Sequence, residues 1–508
     1  MRRIPGKDAI FLWSETETTH MHIAFAGVFD PSTIPDGPVG PGDVHARFRS
    51  LLEQRIHLVP QFRQRVVDVP FGLDNPYFVD DPHFDLDFHL RRIALPAPGG
   101  RQQLEEFVGR LVSRPMDRSR PLWETYVVEG VEQPAHDGGR RDGDGAKWAY
   151  VAKAHHVLVD GVGGNEMLVN LLDLEPTMRS VEPPEPFEPA PLPSPLQLLS
   201  AAAAGTARKP MRFVGTARRT AGVAADFARW AVTKRDEHLE VIGPNTLLNG
   251  PVGPHRQVSF GRFPLDDLKT VKTALGCTVN DVVLAVVGRG LRRFLAEHDV
   301  EPAEPLVAAV PISVRPKGDT SIENLVAGMT VSMHDHREDL AEQLAAISRS
   351  TRPAKEQIGA VSATLLTDWT EYAPPAVAAQ AIRFYTRMGL SRTHPPIANL
   401  TISNVPGPSF PLYLAGSQML SMYPIGPVVT GQRLNITVVS YLDTMFIGAI
   451  ADRDAVPDCR GLVDAIIDEV GQARVYAEKV EQRPEADLAG GVEQPPTGGP
   501  HGQVEANA

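Results

Sequence analysis

Cysteine is nearly absent from this chain: only Cys277 and Cys459 occur among 508 residues. They stand far apart with no Cys-x-x-Cys spacing, which excludes a disulfide framework and a cysteine zinc site and suits a reducing cytosol. Long apolar runs are missing as well. None approaches the ~20 residues that a membrane span needs. In the opening MRRIPGKDAIFLW, Lys7 and Asp8 interrupt the stretch that a signal peptide would need as its core. The expectation is a soluble cytoplasmic protein, at most peripheral at a membrane or lipid-droplet surface. Positive charge is also in deficit. With 50 Lys and Arg against 62 Asp and Glu, the net charge is −12. Nucleic acid is therefore not an expected partner, and an anionic ligand needs a local basic patch working against the global field.

What is present reads as two α/β halves, since a chain of this length exceeds one ordinary core. HMHIAFAGVF alternates like a strand, and QQLEEFVGRLVSRPM carries the helical spacing Leu104, Phe107, Val108, Leu111. PLWETYVVEG and KWAYVAKAHH read as strands flanking a Gly- and charge-rich loop. Near Glu175 the composition shifts to EPPEPFEPAPLPSP, a stiff extended linker. A basic segment follows, with Phe213, Ala217, Ala224, Phe227 and Ala231 on one face. It reads as a crossover helix packed on the body, or else as a basic surface for a lipid interface or a CoA phosphate. The second half contains the helix TVNDVVLAVVGRGLRRFL with Thr278 as N-cap, the hairpin LNITVVSYLDTMFIGAIAD and a closing amphipathic helix. The expected division is 1–178 for the first domain, 179–250 for linker and crossover, 251–480 for the second domain and 481–508 for a disordered tail.

The most informative stretch is AHHVLVDG, in which His155 and His156 precede Asp160-Gly161 at a strand-to-helix junction. Consecutive strand residues point to opposite faces, so the pair does not readily share one metal ion. A structural pair bonded to backbone is the bland reading. The catalytic reading uses imidazole as a base poised near neutral pH, with Gly161 giving the turn its freedom. No Gly-x-Ser-x-Gly nucleophile motif lies nearby. The simplest chemistry is direct transfer, with His deprotonating a hydroxyl or amine that attacks an activated acyl group.

HHxxxDG resembles the signature of CoA-dependent acyltransferases of the chloramphenicol-acetyltransferase and condensation-domain superfamily. DAIFLWSE, MHIAFAGVF, RPLWE, HHVLVDG, TVNDVVLAVVGRGLRRFL, VPISVRP, ENLVAGM and ANLTISNVPGP, in this order over roughly residues 5–475, resemble the bacterial wax ester synthase/diacylglycerol acyltransferase family. The resemblance implies two chloramphenicol-acetyltransferase-like α/β domains with the active-site tunnel at their interface. It implies acyl-CoA as substrate, no cofactor and no metal, and a lipid alcohol as acceptor, diacylglycerol first. It makes His156 the general base and leaves His155, Asp160 and Gly161 as its structural setting. Asp160 is expected to pair with an arginine, Arg63 first and Arg65 second. The family's Asn-Asp pair falls on Asn280 and Asp281. Asn280 is then placed to bond the acceptor hydroxyl or the oxyanion, whereas Thr278 and Asp281 also fit a plain helix cap. Trp123 and Asn404 become channel walls, although the residues themselves favour reading Trp123 as a buried aromatic beside a strand. The chain departs from the family at Glu323-Asn324, where Gly-Asn is common. A wax ester synthase, a condensation-type acyltransferase and a non-catalytic lipid- or CoA-binding protein are the alternatives.

Overall fold

The computed structural model describes residues 1–35, 37, 42–132, 147–158, 170–183, 185–206, 243–298, 300–302, 304–313, 326–351 and 375–482. The strands of the first half are β1 (Arg2–Arg3), β2 (His22–Asp30), β3 (Gln64–Val67), β4 (Tyr77–Asp80), β5 (Leu90–Ala94), β6 (Trp123–Val131) and β7 (Lys147–His155). Those of the second are β8 (Arg256–Pro264), β9 (Val307–Ser313), β10 (Val326–Ser332), β11 (Leu400–Val405), β12 (Tyr413–Leu414), β13 (Ser417–Ile425), β14 (Leu434–Tyr441) and β15 (Thr444–Asp452). The helices of two turns or more are α1 (Gly6–Trp13), α2 (Asp43–Arg55), α3 (Arg101–Val112), α4 (Pro195–Thr206), α5 (Leu265–Leu275), α6 (Val279–Glu297), α7 (340–351), α8 (Pro375–Arg387) and α9 (Cys459–Glu481).

Two six-stranded sheets carry the molecule, ordered β12-β13-β2-β7-β6-β5 and β10-β9-β11-β14-β15-β8, beside a small β1-β4-β3 sheet. β7 lies in the middle of the first and is buried along its whole length. A strand reaches that state only when both faces are covered. Trp148, Tyr150 and Ala152 face the core that holds Phe48, Leu51 and Leu52 of α2. Ala149 and Val151 face the core that holds Leu104, Val108 and Leu111 of α3. Period-2 alternation thus assigns each side chain of β7 a layer before the double histidine is reached.

Helix α3 is also the seam between the halves. Val258 and Phe260 of β8 and Ile450 of β15 join its apolar cluster. Gly109 permits this approach, because a Cβ there would stand 3.2 Å from the Arg256 carbonyl oxygen. Beside it, Glu105 is buried and accepts from Ser259 Oγ (2.9 Å), Phe260 N (2.8 Å), Arg101 (2.8 Å) and Arg460 (2.6 Å). One carboxylate therefore ties the first half to β8 and α9.

The halves also exchange chain. β13 leaves the second half to pair antiparallel with β2, with Tyr423 opposite Ala26. Gly448 of β15 allows the crossing, since a Cβ there would collide with the Pro424 carbonyl. The segment Tyr413–Ile425 thus belongs by pairing to the first sheet, which a division at residue 250 does not capture. The β14–β15 hairpin, the α3 spacing and the Thr278 cap appear where their residue patterns put them. In the linker region, α4 packs Leu198 and Ala202 against Val69, Tyr77 and Val79 of the small-sheet region. The basic crossover with Phe213 and Phe227, and Glu323-Asn324, lie outside the described residues.

Candidate active site

β7 ends at His155, and the chain turns into a single 3-10 turn over His156–Leu158. The break is made locally: His155 Nδ1 accepts from the Val157 amide at 3.1 Å, which diverts that amide from the ladder. His155 is buried on the α3 side of the sheet, with Nε2 3.3 Å from Glu15 Oε1. An Nδ1 that accepts leaves the proton on Nε2, facing that carboxylate. His156 leaves the strand in the other direction. Its ring stacks on Phe11 of α1 with centroids 3.9 Å apart, and its Nδ1 has no hydrogen-bond partner among the described residues. Burial, followed by the neighbouring His155, pushes the His156 imidazole down to about 4. The ring is neutral at pH 7 and can accept a proton.

Two further histidines stand behind this turn. His22 of β2 is opposite His155 in register, with rings 6.0 Å apart, and His20 lies 5.4 Å further on. His22 is buried with no partner on either ring nitrogen among the described residues, and burial holds its pKa well below the usual range. Lys153, two residues before His155 on the same face, donates to the Leu111 and Arg114 carbonyls at the end of α3. Burial lowers its pKa to about 8. Glu15, His20, His22 and Lys153 were not singled out from sequence. Their closeness to His155 depends on the β2–β7 register and on the fold-back of α1.

In the second half Asn280 stands in the first turn of α6, with its Nδ2 buried and unpartnered among the described residues. Asp281 is fully engaged. It accepts from Thr278 N at 3.0 Å, Ser348 Oγ at 2.9 Å and Thr351 Oγ1 at 3.2 Å, while Thr278 Oγ1 accepts from Asp281 N. Among the described residues no hydrogen bond or ring contact joins Asn280, Asp281 or Asn404 to His156.

Residues 4–283 match the model of the wax ester synthase/diacylglycerol acyltransferase catalytic domain, and residues 322–472 match the WS/DGAT C-terminal domain. The chain belongs to this family. A Mycobacterium tuberculosis (H37Rv) protein, provisionally named a diacylglycerol O-acyltransferase, is 36% identical over 464 residues, 91% of this chain and 88% of that one. The wax ester synthase/diacylglycerol acyltransferase of Marinobacter aquaeolei VT8 superposes with a TM-score of 0.64 at 26% identity, over 94% of this chain and 100% of that chain. The first condensation domain of the calcium-dependent antibiotic synthetase gives 0.54 at 16% identity, over 95% and 98%, a likeness of fold alone. The chain is an acyltransferase of the wax ester synthase/diacylglycerol acyltransferase family with the expected two-domain α/β architecture.

Within that family fold, two of the expected substrate contacts have protein partners of their own. Trp123 is buried, stacked between Phe62 (4.7 Å) and His89 (4.5 Å), and its Nε1 donates to Phe62 O at 2.9 Å. It is a packing residue, because β6–β7 pairing sets it opposite Ala154 and turns its ring inward. Asp281 is a capping residue, because its carboxylate is taken up by the helix start and α7. Asn404 sits half-buried near the carboxyl end of β11, paired with Val438. Asp160 and Gly161 lie outside the described residues, and so does the expected pairing of Asp160 with Arg63 or Arg65. Arg63 holds its guanidinium 4.1 Å over the Phe187 ring, and Arg65 donates to Ser119 O. Cys277 and Cys459 are both free and buried.

Proposed function

We propose that this family member transfers a long-chain acyl group from acyl-CoA to the free hydroxyl of diacylglycerol, with His156 as general base and no cofactor. His156 Nε2 takes the hydroxyl proton as the oxygen attacks the thioester carbonyl. The tetrahedral oxyanion collapses, the C–S bond breaks, and the CoA thiolate takes the proton back from the imidazolium. The observation that carries this reading is the His156 turn: a neutral imidazole, presented by the end of a fully buried strand and fixed from behind by His155. A ring held near 4 resists protonation in the resting enzyme. The oxyanion that develops beside it supplies the charge that offsets this resistance during transfer.

A cleft of about 640 Å³ between α3 and β8 supports CoA as donor. Arg110, Arg114, His255, Arg256, Arg453 and Arg460 line it together with Glu105, Glu106 and Asp458; Arg110 and Arg460 are paired with the two glutamates, so the positive excess rests on Arg114, Arg256 and Arg453. Arg256 also donates to the Thr18 carbonyl, which ties the cleft wall to the loop before His20 and His22. Asn280, whose buried amide nitrogen is unpartnered among the described residues, is assigned to the acceptor hydroxyl or the oxyanion. Among the described residues no single helix is long and apolar enough to cross a membrane. A lipid acceptor then requires peripheral contact with a lipid surface.

The test is CoA release from palmitoyl-CoA across diacylglycerols, monoacylglycerols, fatty alcohols and amines. Diacylglycerol should give the highest kcat/KM. A preference for fatty alcohols would move the assignment to wax ester synthesis, which the Marinobacter neighbour's name also carries. Release stimulated by amines alone would overturn it.

A further inference from the structure

None of the 62 acidic residues of this chain falls between Tyr372 and Leu442. In a protein of net charge −12 that gap is far longer than chance spacing gives. Helix α8 opens the described part of it. Its inner face, Ala378, Ala379 and Ile382, packs into the cluster that holds Leu12 and Trp13 of α1 and Val157 and Leu158 of the His156 turn. Its outer face is also apolar. Val377 (63% exposed), Phe384 (60%) and Met388 (58%) stand at helical spacing toward solvent. Arg383 and Arg387 flank this stripe with no ion-pair partner among the described residues.

A second element extends the stripe. The turn Pro70–Gly72 lies against the start of α8, where a Cβ on Gly72 would stand 2.8 Å from Ala376 Cβ. Phe71 at its tip is 84% exposed and holds φ at +61°, a strained value for a phenylalanine that points its ring away from the body. Burial does not explain four large apolar side chains turned outward from two touching elements.

We propose that Phe71, Val377, Phe384 and Met388 form the face by which this enzyme seats on an anionic lipid–water interface. The inference rests on the lipid acceptor proposed above and names the surface through which that acceptor is reached. Arginines beside an apolar stripe on α8, within a stretch that holds no acidic residue from Tyr372 to Leu442, match a lipid surface of negative charge, and of the two acids nearest Phe71, Asp68 is exposed while Asp74 is buried on Arg3. A twofold contact with a second copy would instead press two faces of the same positive charge together, which like-charge repulsion opposes. The placement serves the chemistry, since α8 packs on α1, and α1 carries the Phe11 that covers His156.

The experiment is flotation of the full chain with phosphatidylcholine vesicles made with and without phosphatidylglycerol. The wild-type chain should float with the phosphatidylglycerol vesicles, less so in high salt. Phe384→Glu with Met388→Glu should lower the partition coefficient on the order of a hundredfold, ~tenfold for each large apolar side chain removed from the interface. Both residues are exposed, so the melting temperature should hold. Should that variant fail to fold, Arg383→Glu with Arg387→Glu provides the check, since it should abolish the preference for phosphatidylglycerol. His156→Ala should float as the wild type does, which separates failure of the surface from failure of the chemistry. A wild-type chain that does not float would overturn the proposal. So would a charge-reversed or glutamate variant that floats unchanged, or a glutamate variant that only dissociates an oligomer.

Discussion

Phe11→Ala tests how the protein sets its base. The Phe11 ring covers His156 at 3.9 Å, and burial is the largest cause that takes this imidazole from 6.5 down to about 4. A displacement of that size corresponds to about 3 kcal/mol between the two protonation states. Opening one face of the ring to water should return roughly one pH unit, ~1.4 kcal/mol. The neutral ring is the base, so activity is lost as pH falls through its pKa. The acid limb of kcat/KM should therefore lie near 4 in the wild type and roughly one unit higher in the variant. At pH 7 both rings are neutral, and the rates should agree within about tenfold. The same shift acts on stability. The unfolded chain takes up this proton below its ordinary pKa of 6.5, so stability present above that pH is lost as pH falls toward about 4. The assay is chromatographic CoA release across the acid range, with circular dichroism confirming the fold at each pH. A wild-type limb near 6.5, or one limb shared by both proteins, would refute the reasoning.

Asp281→Ala should lower stability by about 2 kcal/mol, because it removes a cap and strands the Ser348 and Thr351 hydroxyls. Its kcat should stay near wild type; a lost kcat with unchanged melting would restore a substrate role. Asn280→Ala, whose amide nitrogen has no partner to lose among the described residues, should behave in the opposite way. It should lose ~10²-fold in kcat with melting unchanged, and equal kcat would remove it from the site. Glu105→Ala breaks the buried carboxylate that holds α3 to β8 and α9, and should cost about 3 kcal/mol in urea denaturation. An unchanged midpoint would show that the seam rests on its apolar cluster alone.

The local layer of this fold was legible in the sequence wherever one element decides the outcome. KWAYVAKAHH reads as a strand, and the strand period separated His155 from His156, because that period is a backbone property. Thr278 and Asp281 announced their cap through spacing alone. What stayed hidden depends on partners distant in the chain. Nothing local in SQMLSMYPI says that it pairs with β2 rather than with its neighbours. His22 is a strand residue until the register sets it across from His155. Trp123 was assigned to a channel through a motif, yet its environment is decided by Phe62 and His89, which come from two other segments. The Phe71–Met388 face escaped notice because its exposure is a property of the packed molecule. Sequence instead drew attention to the basic crossover as a lipid surface.

The central claim is that His156 moves the proton. Single-turnover acyl transfer from palmitoyl-CoA to diacylglycerol, compared between the wild type and His156→Ala, tests it most directly. The rate should fall by ~10²–10⁴ while substrate binding and melting temperature hold. A His156→Ala enzyme that turns over at near the wild-type rate would contradict the account.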